Sequence, residues 1–308
     1  MKTILITGAT AGIGRHAALE LVRQGQHVIA TGRREAALQT LADEARTLAK
    51  KSGGRLDVLR LDVTDAASVA AAVAEVDTLT GDRGLDVLVN NAGYGQMGPV
   101  EEVTDADVRR QYETNVFGLL AVTRAFLPKM RERGEGRVVN VGSVGGRVTF
   151  PLMGVYNSTK YAVESLSDAL RNELAPFGVS VSIIEPGPIA TEFNDVAMET
   201  IDRGGIGASP YEAIVLRADQ LRQRFESSSS GPEVTTRAIV HACTGRRPGI
   251  RYVAPRMLGF ALFFLAFIPT RLLDLVMQRA AGLTRKTLAE HAANKKSLPP
   301  GPSVAASA

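Results

Sequence analysis

The chain has 308 residues, and its 45% hydrophobic content predicts one large domain or two with a complete apolar core. A single cysteine excludes an internal disulfide bond and fits a reducing compartment. The 5% aromatic content, without a basic aromatic face, argues against a nucleic-acid surface, and four scattered histidines argue against a metal site.

The net charge of +4 is unevenly placed along the chain. Eight basic residues fall between Arg251 and Lys296, where the acidic residues are Asp274 and Glu290. The basic character therefore belongs to the C-terminal segment and not to the rest of the chain. The N-terminus runs directly into an apolar strand-like segment, which leaves no room for a cleavable signal peptide and predicts a cytoplasmic location.

Short apolar runs alternate with longer helical patterns through most of the chain. Several runs are apolar almost throughout, as strands are in a parallel sheet that is buried on both faces. The alternation predicts an α/β fold with a doubly wound parallel sheet, the Rossmann fold. In chain order, strands are predicted at 3–7, 27–31, 56–61, 85–89, 136–141, 179–184 and 251–254, and helices at 12–24, 34–51, 65–80, 105–132 and 155–176.

The pattern changes after the sixth predicted strand, where residues 186–208 form a loop rich in glycine and polar residues. A helix is predicted to begin at Ser209 as N-cap, with Pro210 in its first position and Glu212 completing a capping box. A linker at 227–231 precedes another helix at 232–243. We expect a single domain at 1–255, a helical extension at 256–296 and a disordered tail at 297–308.

A glycine-rich turn, Thr7-Gly8-Ala9-Thr10-Ala11-Gly12-Ile13-Gly14, links the first strand to the first helix. Glycines let the backbone approach a pyrophosphate, and a helix N-terminus offers free N–H groups. This context predicts dinucleotide binding. The alternative is that the turn is tight only because of packing and binds no nucleotide. Arg33 and Arg34 stand where an NAD-binding fold usually places an acid, and arginine pairs with a 2′-phosphate. NADP(H) is therefore favoured over NAD(H), unless these arginines are only solvated.

Tyr156 is the one tyrosine of six with a lysine, Lys160, four residues later. Positions four apart share one face of a helix. A cation beside the phenol favours the phenolate, so we expect a lowered pKa for Tyr156 and a role in general acid–base catalysis. The alternative is a partly buried tyrosine beside a solvated lysine.

These motifs, in this order and spacing, resemble those of the short-chain dehydrogenase/reductase family over roughly residues 1–255. The resemblance is closest to the branch that holds 17β-hydroxysteroid and retinol dehydrogenases. Ala11 and the run 157–159 depart from the commoner pattern. The catalytic residues implied are Asn115, Ser143, Tyr156 and Lys160. The cofactor-binding residues implied are Gly8, Thr10, Gly12, Ile13, Gly14, Arg33, Asp62, Val63, Asn90, Ala92, Gly93, Tyr156, Lys160, Pro186, Gly187 and Thr191.

The resemblance implies an NADP(H)-dependent oxidoreductase that transfers a hydride between nicotinamide and a lipophilic ketone or secondary alcohol, in a homo-oligomer. Ser143 would hold the carbonyl oxygen, Tyr156 would protonate it, and Lys160 would keep the tyrosine acidic. Asn115 would anchor a water that links Lys160 to solvent, although an ordinary structural hydrogen bond is the alternative. The rival functions are a non-catalytic nucleotide sensor and a membrane-associated scaffold on the same fold.

Two apolar segments bear on the substrate and on partners. A lid after the sixth strand suits a lipophilic substrate, although the same residues could only pack on the core. The unbroken apolar run 257–268 is too short to span a bilayer, which needs about 20 residues. With the amphipathic residues that follow, 257–279 could cover the active site, form an oligomer contact or lie on an anionic membrane surface. The lid residues are Phe193, Val196, Ala197, Met198 and Ile201.

Overall fold

The computed structural model of the chain describes residues 1–193, 197, 199–201, 209–217 and 229–297. Seven parallel strands in this part form one sheet in the order β3-β2-β1-β4-β5-β6-β7, which confirms the predicted doubly wound Rossmann sheet. The strands are β1 (Thr3–Ile6), β2 (His27–Gly32), β3 (Arg55–Arg60), β4 (Val87–Asn90), β5 (Gly136–Val141), β6 (Val179–Pro186) and β7 (Arg251–Ala254).

Helices cover both faces of the sheet because successive strand residues point to opposite sides. Ile4 and Ile6 belong to one buried cluster, whereas Leu5 between them belongs to the other. Each fully buried side chain of this size contributes about 1.5–3 kcal/mol to folding. The helices are α1 (Gly12–Arg23), α2 (Glu35–Ser52), α3 (Ala66–Thr80), α4 (Asp105–Tyr112), α5 (Leu119–Arg133), α6 (Gly154–Leu174), α7 (Pro232–Thr244), α8 (Met257–Leu265), α9 (Thr270–Ala280) and α10 (Arg285–Ser297).

The segment predicted as a helix at 105–132 is helical throughout, but a π-helical turn at Glu113–Gly118 joins two α-helical parts, α4 and α5. Gly118 lies so close to the loop after β3 that a Cβ would be 2.8 Å from Cγ2 of Val63. This contact joins parts of the chain that are distant in sequence, so the residues 105–132 alone do not reveal it. Such single π-helical turns are frequent at functional sites.

The C-terminal part agrees with the sequence in part: Ser209 caps a turn as predicted, but the helix begins at residue 212 and not at Pro210. Ser209 Oγ accepts a hydrogen bond from the backbone N–H of Tyr211 at 2.9 Å, and a helix follows at 212–217. Among the described helices, none is long and apolar enough to cross a membrane. The division at residues 255 and 296 stays a prediction. Residues 194–196, 198 and 202–208 of the predicted loop, 227–228 of the linker and 298–308 of the tail lie outside the described residues.

Candidate active site

The predicted site residues gather at the carboxyl edge of the sheet. In a doubly wound fold, ligands bind at this edge where the strand order reverses, here between β1 and β4. The glycine-rich turn follows β1, and the segment 90–93 follows β4. Ser143 follows β5, and Pro186 ends β6. The topology therefore brings residues from four strands to one end of the sheet.

The glycine-rich turn provides a surface that fits a dinucleotide pyrophosphate. Gly8 has φ +65°, and a Cβ there would lie 2.9 Å from Cα of Ala92, so a larger residue would clash with the backbone after β4. Helix α1 begins at Gly12, and its N-cap residue Ala11 makes no side-chain hydrogen bond. Because its first turn also lacks an acidic residue, the N–H groups at this helix end are available to an anion.

Asn91 holds this turn against the end of β4, although the sequence analysis counted only its neighbours among the cofactor-binding residues. Its Nδ2 donates to the carbonyl oxygens of Thr7 at 2.9 Å and Gly8 at 3.0 Å. Thr7 Oγ1 in turn accepts from the backbone N–H groups of Asn91 and Ala92, both at 2.9 Å. The side chain of Asn90 points the other way, into the core, where it donates to Thr123 and Asn140 at 2.9 Å each.

The remaining residues of the glycine-rich turn pack against β2, β4 and the core. A Cβ at Gly32, the last residue of β2, would lie 2.6 Å from Cγ2 of Thr10. Ile13 packs against the core cluster that includes Ile4, while Gly14 is buried against Asn91. The first turn of α1 is thus fixed between β2 and β4.

Arg33 and Asp62 lie close enough at the ends of β2 and β3 for their charges to interact. Burial opposes ionisation of Asp62, yet hydrogen bonds from Thr64 and the charge of Arg33 prevail and lower its pKa. Arg33 and Arg34 are exposed, whereas Val63 is buried. A cationic, exposed guanidinium group at the end of β2 fits a 2′-phosphate, and no carboxylate occupies that position in the sequence.

Tyr156 and Lys160 lie on α6 and face the end of β5. Both are buried, with Lys160 Nζ 5.8 Å from the Tyr156 ring centroid. Lys160 Nζ donates to the carbonyl oxygen of Val141 at 2.8 Å. Ser143 forms a hydrogen bond with Tyr156, and its Oγ accepts from the N–H of Gly145 at 3.0 Å. A hydroxyl, a phenol and an ammonium group thus converge within one buried cluster.

The expected lowered pKa of Tyr156 is wrong for this structure. Burial raises the pKa of Tyr156 to about 12, although the hydrogen bond with Ser143 opposes the rise. Burial also lowers the pKa of Lys160 to about 8, although the charge of Glu164 opposes this. Depth in the protein, which the sequence does not give, outweighs the cation that the spacing provides. At neutral pH the Tyr156 phenol is therefore protonated and suited to donate a proton.

Asn115 sits in the π-helical turn with its side-chain amide fully engaged. Its Oδ1 accepts from the N–H of Tyr94 at 3.2 Å, and its Nδ2 donates to the Tyr94 carbonyl at 3.0 Å. Nδ2 also donates to Thr159 Oγ1 at 3.1 Å, next to Lys160 on α6. A Cβ at Gly93 would lie 3.0 Å from Asn115 Oδ1. Asn115 therefore ties the segment after β4 to α6, which fits the structural alternative.

The segment after β6 closes over the same edge. A Cβ at Gly12 would lie 3.5 Å from Cβ of Thr191, so the two predicted cofactor-binding turns are adjacent. The backbone N–H of Gly187 donates to the Ala254 carbonyl at 2.8 Å. The ring of Phe193 lies 5.5 Å from that of Tyr156, centroid to centroid.

Part of the predicted lid is described. Ala197 and Phe193 lie against Gly95, since a Cβ there would be 3.2 and 3.0 Å from them. Ile201 is buried and clusters with Val215. Thr200, which sequence reasoning missed, accepts from the N–H of residue 97 at 2.9 Å through Oγ1. Val196 and Met198 lie outside the described residues. Among those described, no group of three or more His, Cys, Asp or Glu could hold a metal ion.

A family comparison agrees with this geometry. The short chain dehydrogenase model matches residues 2–202, which is more than half of the chain. The chain therefore belongs to the short-chain dehydrogenase family and is an oxidoreductase. Enzymes of this fold bind NAD(P) and act on small-molecule substrates.

Individual relatives match along most of the chain. The uncharacterized oxidoreductase YbbO of Escherichia coli K12 is 36% identical, covering 90% of this chain and 94% of the relative. The NADPH-dependent 3-dehydrocapnine reductase of Ornithobacterium rhinotracheale is 33% identical, covering 91% and 97%. Human 17-beta-hydroxysteroid dehydrogenase type 1 is 37% identical, covering 81% and 76%.

Solved structures show both forms of the cofactor on this fold. A closed serine dehydrogenase complexed with NADP+ has a TM-score of 0.68 and 31% identity, covering 82% of this chain and 93% of its own. A Burkholderia phymatum short chain dehydrogenase/reductase in complex with NAD has a TM-score of 0.71 and 26% identity, covering 85% and 91%. The fold alone therefore does not choose between the two cofactors.

Proposed function

We propose that this protein is an NADP(H)-dependent reductase of lipophilic ketones, or the corresponding dehydrogenase of secondary alcohols. The observation that carries the proposal is the cluster of Ser143, Tyr156 and Lys160 beside the glycine-rich turn. Its three polar groups lie at the edge of the sheet where substrate and nicotinamide would meet. In this proposal Ser143, Tyr156, Lys160 and the cofactor-binding residues keep the roles that the family resemblance implies, whereas Asn115 holds the segment after β4 against α6.

In the proposed reaction, the chain supplies the proton and holds the oxygen, and the bound cofactor supplies or accepts the hydride. The Ser143 hydroxyl donates a hydrogen bond to the substrate carbonyl oxygen. Tyr156 then gives its phenolic proton to that oxygen as the carbonyl carbon is reduced. The Lys160 ammonium stabilises the phenolate that remains until it regains a proton from solvent. General acid catalysis of this kind contributes about 10²–10⁴ to a rate.

The preference for NADP(H) rests on Arg33 at the end of β2. Its guanidinium is exposed, its charge already acts on the Asp62 carboxylate, and no acid takes the position that would bind an unphosphorylated ribose. A relative with matching length is named as NADPH-dependent, which supports the same choice.

Arg33→Asp is expected to weaken NADPH binding about 10- to 100-fold, because charge-assisted hydrogen bonds contribute about 1.5–3 kcal/mol. The affinity for NADH should stay the same or increase, because an acidic side chain can accept hydrogen bonds from the ribose hydroxyls. Titration of both cofactors by fluorescence measures this, with Lys50→Asp at the far end of α2 as the control for charge. Equal affinities of the wild type for NADPH and NADH would contradict the proposal.

The lipophilic substrate class rests on the apolar lid, in which Phe193 packs beside Tyr156. The hydroxysteroid named for one relative is of the same chemical class. Purified protein should oxidise NADPH when given members of a panel of steroid, retinoid and long-chain fatty ketones. Tight cofactor binding without turnover on the whole panel would instead favour the nucleotide-sensing rival. Homo-oligomerisation stays a prediction.

We further propose that the C-terminal extension contacts an anionic membrane surface. Side chains three or four residues apart on and after α8 form an apolar outer stripe that is 60–75% exposed. Exposed apolar residues continue on α9 at Leu272, Leu275 and Val276. Contiguous exposed apolar surface of this kind marks an interaction site. The outer stripe consists of Met257, Phe260, Phe263, Phe264 and Phe267.

The opposite side of the extension is attached to the body of the enzyme. Leu258 packs against Gly187, so closely that a Cβ on Gly187 would clash with Cδ1 of Leu258. His291 Nε2 lies 3.1 Å from Oε2 of Glu212, the residue at which the helix after Ser209 begins. The extension therefore reaches both the turn after β6 and the helix near the lid. One side of it can cover the active site while the opposite side contacts a membrane.

Charge favours a bilayer over a second copy of the chain as the partner of the outer stripe. Arg256, Arg271 and Arg279 are exposed on and next to α8 and α9, where Asp274 is the one acidic residue between 256 and 280. A symmetric dimer through this stripe would place the same surface, with the same arginines, on both sides of the contact. An anionic lipid surface instead gains about 1 kcal/mol for each basic residue near it.

A further inference from the structure

Four titratable side chains follow one another at intervals of four residues along α6: Tyr156, Lys160, Glu164 and Asp168. This spacing places them on one side of the helix. The first three are buried, whereas the side chain of Asp168 is 46% exposed. The proposed chemistry uses Tyr156 and Lys160 and leaves the buried carboxyl of Glu164 without a role.

Glu164 reaches the same strand end as Lys160. Lys160 Nζ bonds the carbonyl of Val141, and a Cβ on the next residue, Gly142, would lie 3.2 Å from Glu164 Oε1. Gly146 also packs against both helix residues. A Cβ there would lie 2.8 Å from the backbone oxygen of Lys160 and 3.0 Å from Cγ of Glu164. Both side chains therefore reach the segment that follows β5, where the charge of Glu164 acts on Lys160 without a direct ion pair between them.

Charged groups from neighbouring elements face Glu164 as well. Arg251 of β7 contacts both Glu164 and Glu185 of β6, and lies 3.3 Å from Asp168. Arg147, just after β5, lies 3.4 Å from Glu185. Together with Lys160, the cluster contains three cations and three carboxyl groups. The Lys160 ammonium is therefore one member of a charge-balanced cluster that runs from the buried Glu164 and Glu185 to the more exposed Arg147 and Asp168, and not an isolated charge.

We propose that Glu164 is a positioning residue whose carboxylate keeps Lys160 protonated at the active site and so sets the alkaline limit of carbonyl reduction. The inference rests on the proposed reductase function for its kinetic consequence. Removing a neighbouring opposite charge makes a buried ammonium lose its proton at lower pH. Without Glu164, the Lys160 ammonium that stabilises the Tyr156 phenolate would therefore be lost at a pH closer to neutral.

The pKa values of the pair agree with this assignment. Burial and the neighbouring Glu185 raise the pKa of Glu164 to about 7, against the opposing effect of Arg251. Burial lowers the pKa of Lys160 to about 8. Burial thus disfavours the charged form of both groups. Lys160 loses its proton on the alkaline side, where Glu164 is ionised, so the carboxylate matters most there.

Glu164→Gln is expected to move the alkaline limb of the kcat/KM profile for ketone reduction toward acid by about one pH unit. Asp168→Asn is the matched control, because it removes a carboxylate that faces the same Arg251 but is half-exposed and one turn farther from Lys160. In Asp168→Asn the alkaline limb of the kcat/KM profile should stay within a few tenths of a pH unit of the wild-type position. Glu164→Asp keeps the carboxylate and should behave in the same way. An unmoved limb in Glu164→Gln, or equal shifts in Glu164→Gln and Asp168→Asn, would overturn the proposal.

A second measurement needs no turnover. NMR titration of ¹³C-labelled lysine side chains reports the pKa of Lys160 directly, with its signal assigned by its loss in Lys160→Arg. The Lys160 pKa should fall by about one unit in Glu164→Gln and hold in Asp168→Asn. Absence of ketone reduction by wild type would refute the proposed function alone, whereas an unchanged Lys160 pKa would refute the role of Glu164 alone.

Discussion

Tyr156→Phe should lower kcat/KM for ketone reduction by about 10²–10⁴-fold, because it removes the proton that the phenol donates. NADPH affinity should be unchanged, since the substitution deletes one hydroxyl group and leaves the ring. The ring is buried against Phe193, and phenylalanine preserves that contact, so the fold should be retained.

Steady-state kinetics with NADPH and an active ketone test this, together with a cofactor titration of the same protein. Tyr161→Phe provides the matched control, because Tyr161 lies on the same helix but is 43% exposed. The control should keep wild-type rates. Unchanged turnover in Tyr156→Phe would remove the basis of the proposed mechanism.

A triple variant of the outer stripe, Phe260→Ser with Phe264→Ser and Phe267→Ser, should lose binding to anionic vesicles by 100-fold or more. Burial of one such side chain contributes about 1.5–3 kcal/mol, so even partial insertion of three sums to a large effect. Wild-type binding should also weaken as salt rises, because the exposed arginines act through screened charge. Cosedimentation with phosphatidylglycerol vesicles at low and high salt measures both.

Phe177→Ser is the control for this variant, since Phe177 is an exposed aromatic residue, 46% accessible, outside the extension. It should bind vesicles like wild type. Wild-type protein that stays in the supernatant with anionic vesicles at low salt would exclude the membrane contact. A change of oligomeric state in the triple variant, measured by analytical ultracentrifugation, would assign the stripe to a subunit contact instead.

The strands and the glycine-rich turn could be predicted because their signals are local. A continuous apolar run such as 87–89 has few alternatives to a buried strand, and Gly8 and Gly12 between β1 and the first turn of α1 have few alternatives to a tight turn. The choice between Asn90 and Asn91 was not local. Successive strand residues point to opposite faces, and only the packed sheet decides which asparagine faces the turn.

The ionisation of the candidate site was the least predictable part. Spacing indicates that Lys160 and Tyr156 are neighbours, but the pKa of each depends on burial and on groups from distant segments. Arg251 and Glu185 reach Glu164 from β7 and β6, far away in the chain. Periodicity along α6 cannot reveal such partners.

The π-helical turn at Glu113–Gly118 changes the angular phase between the two helices that it joins. An α-helix rotates by about 100° for each residue, so one additional residue in a turn redirects everything after it. Gln111 and Asn115 can therefore face the segment after β4 while Val122, Phe126 and Met130 face the sheet. Deleting one residue from this turn would restore a regular α-helix. Either the contacts with the segment after β4 or the packing on the sheet would then be lost, because one helix cannot present both sets of side chains.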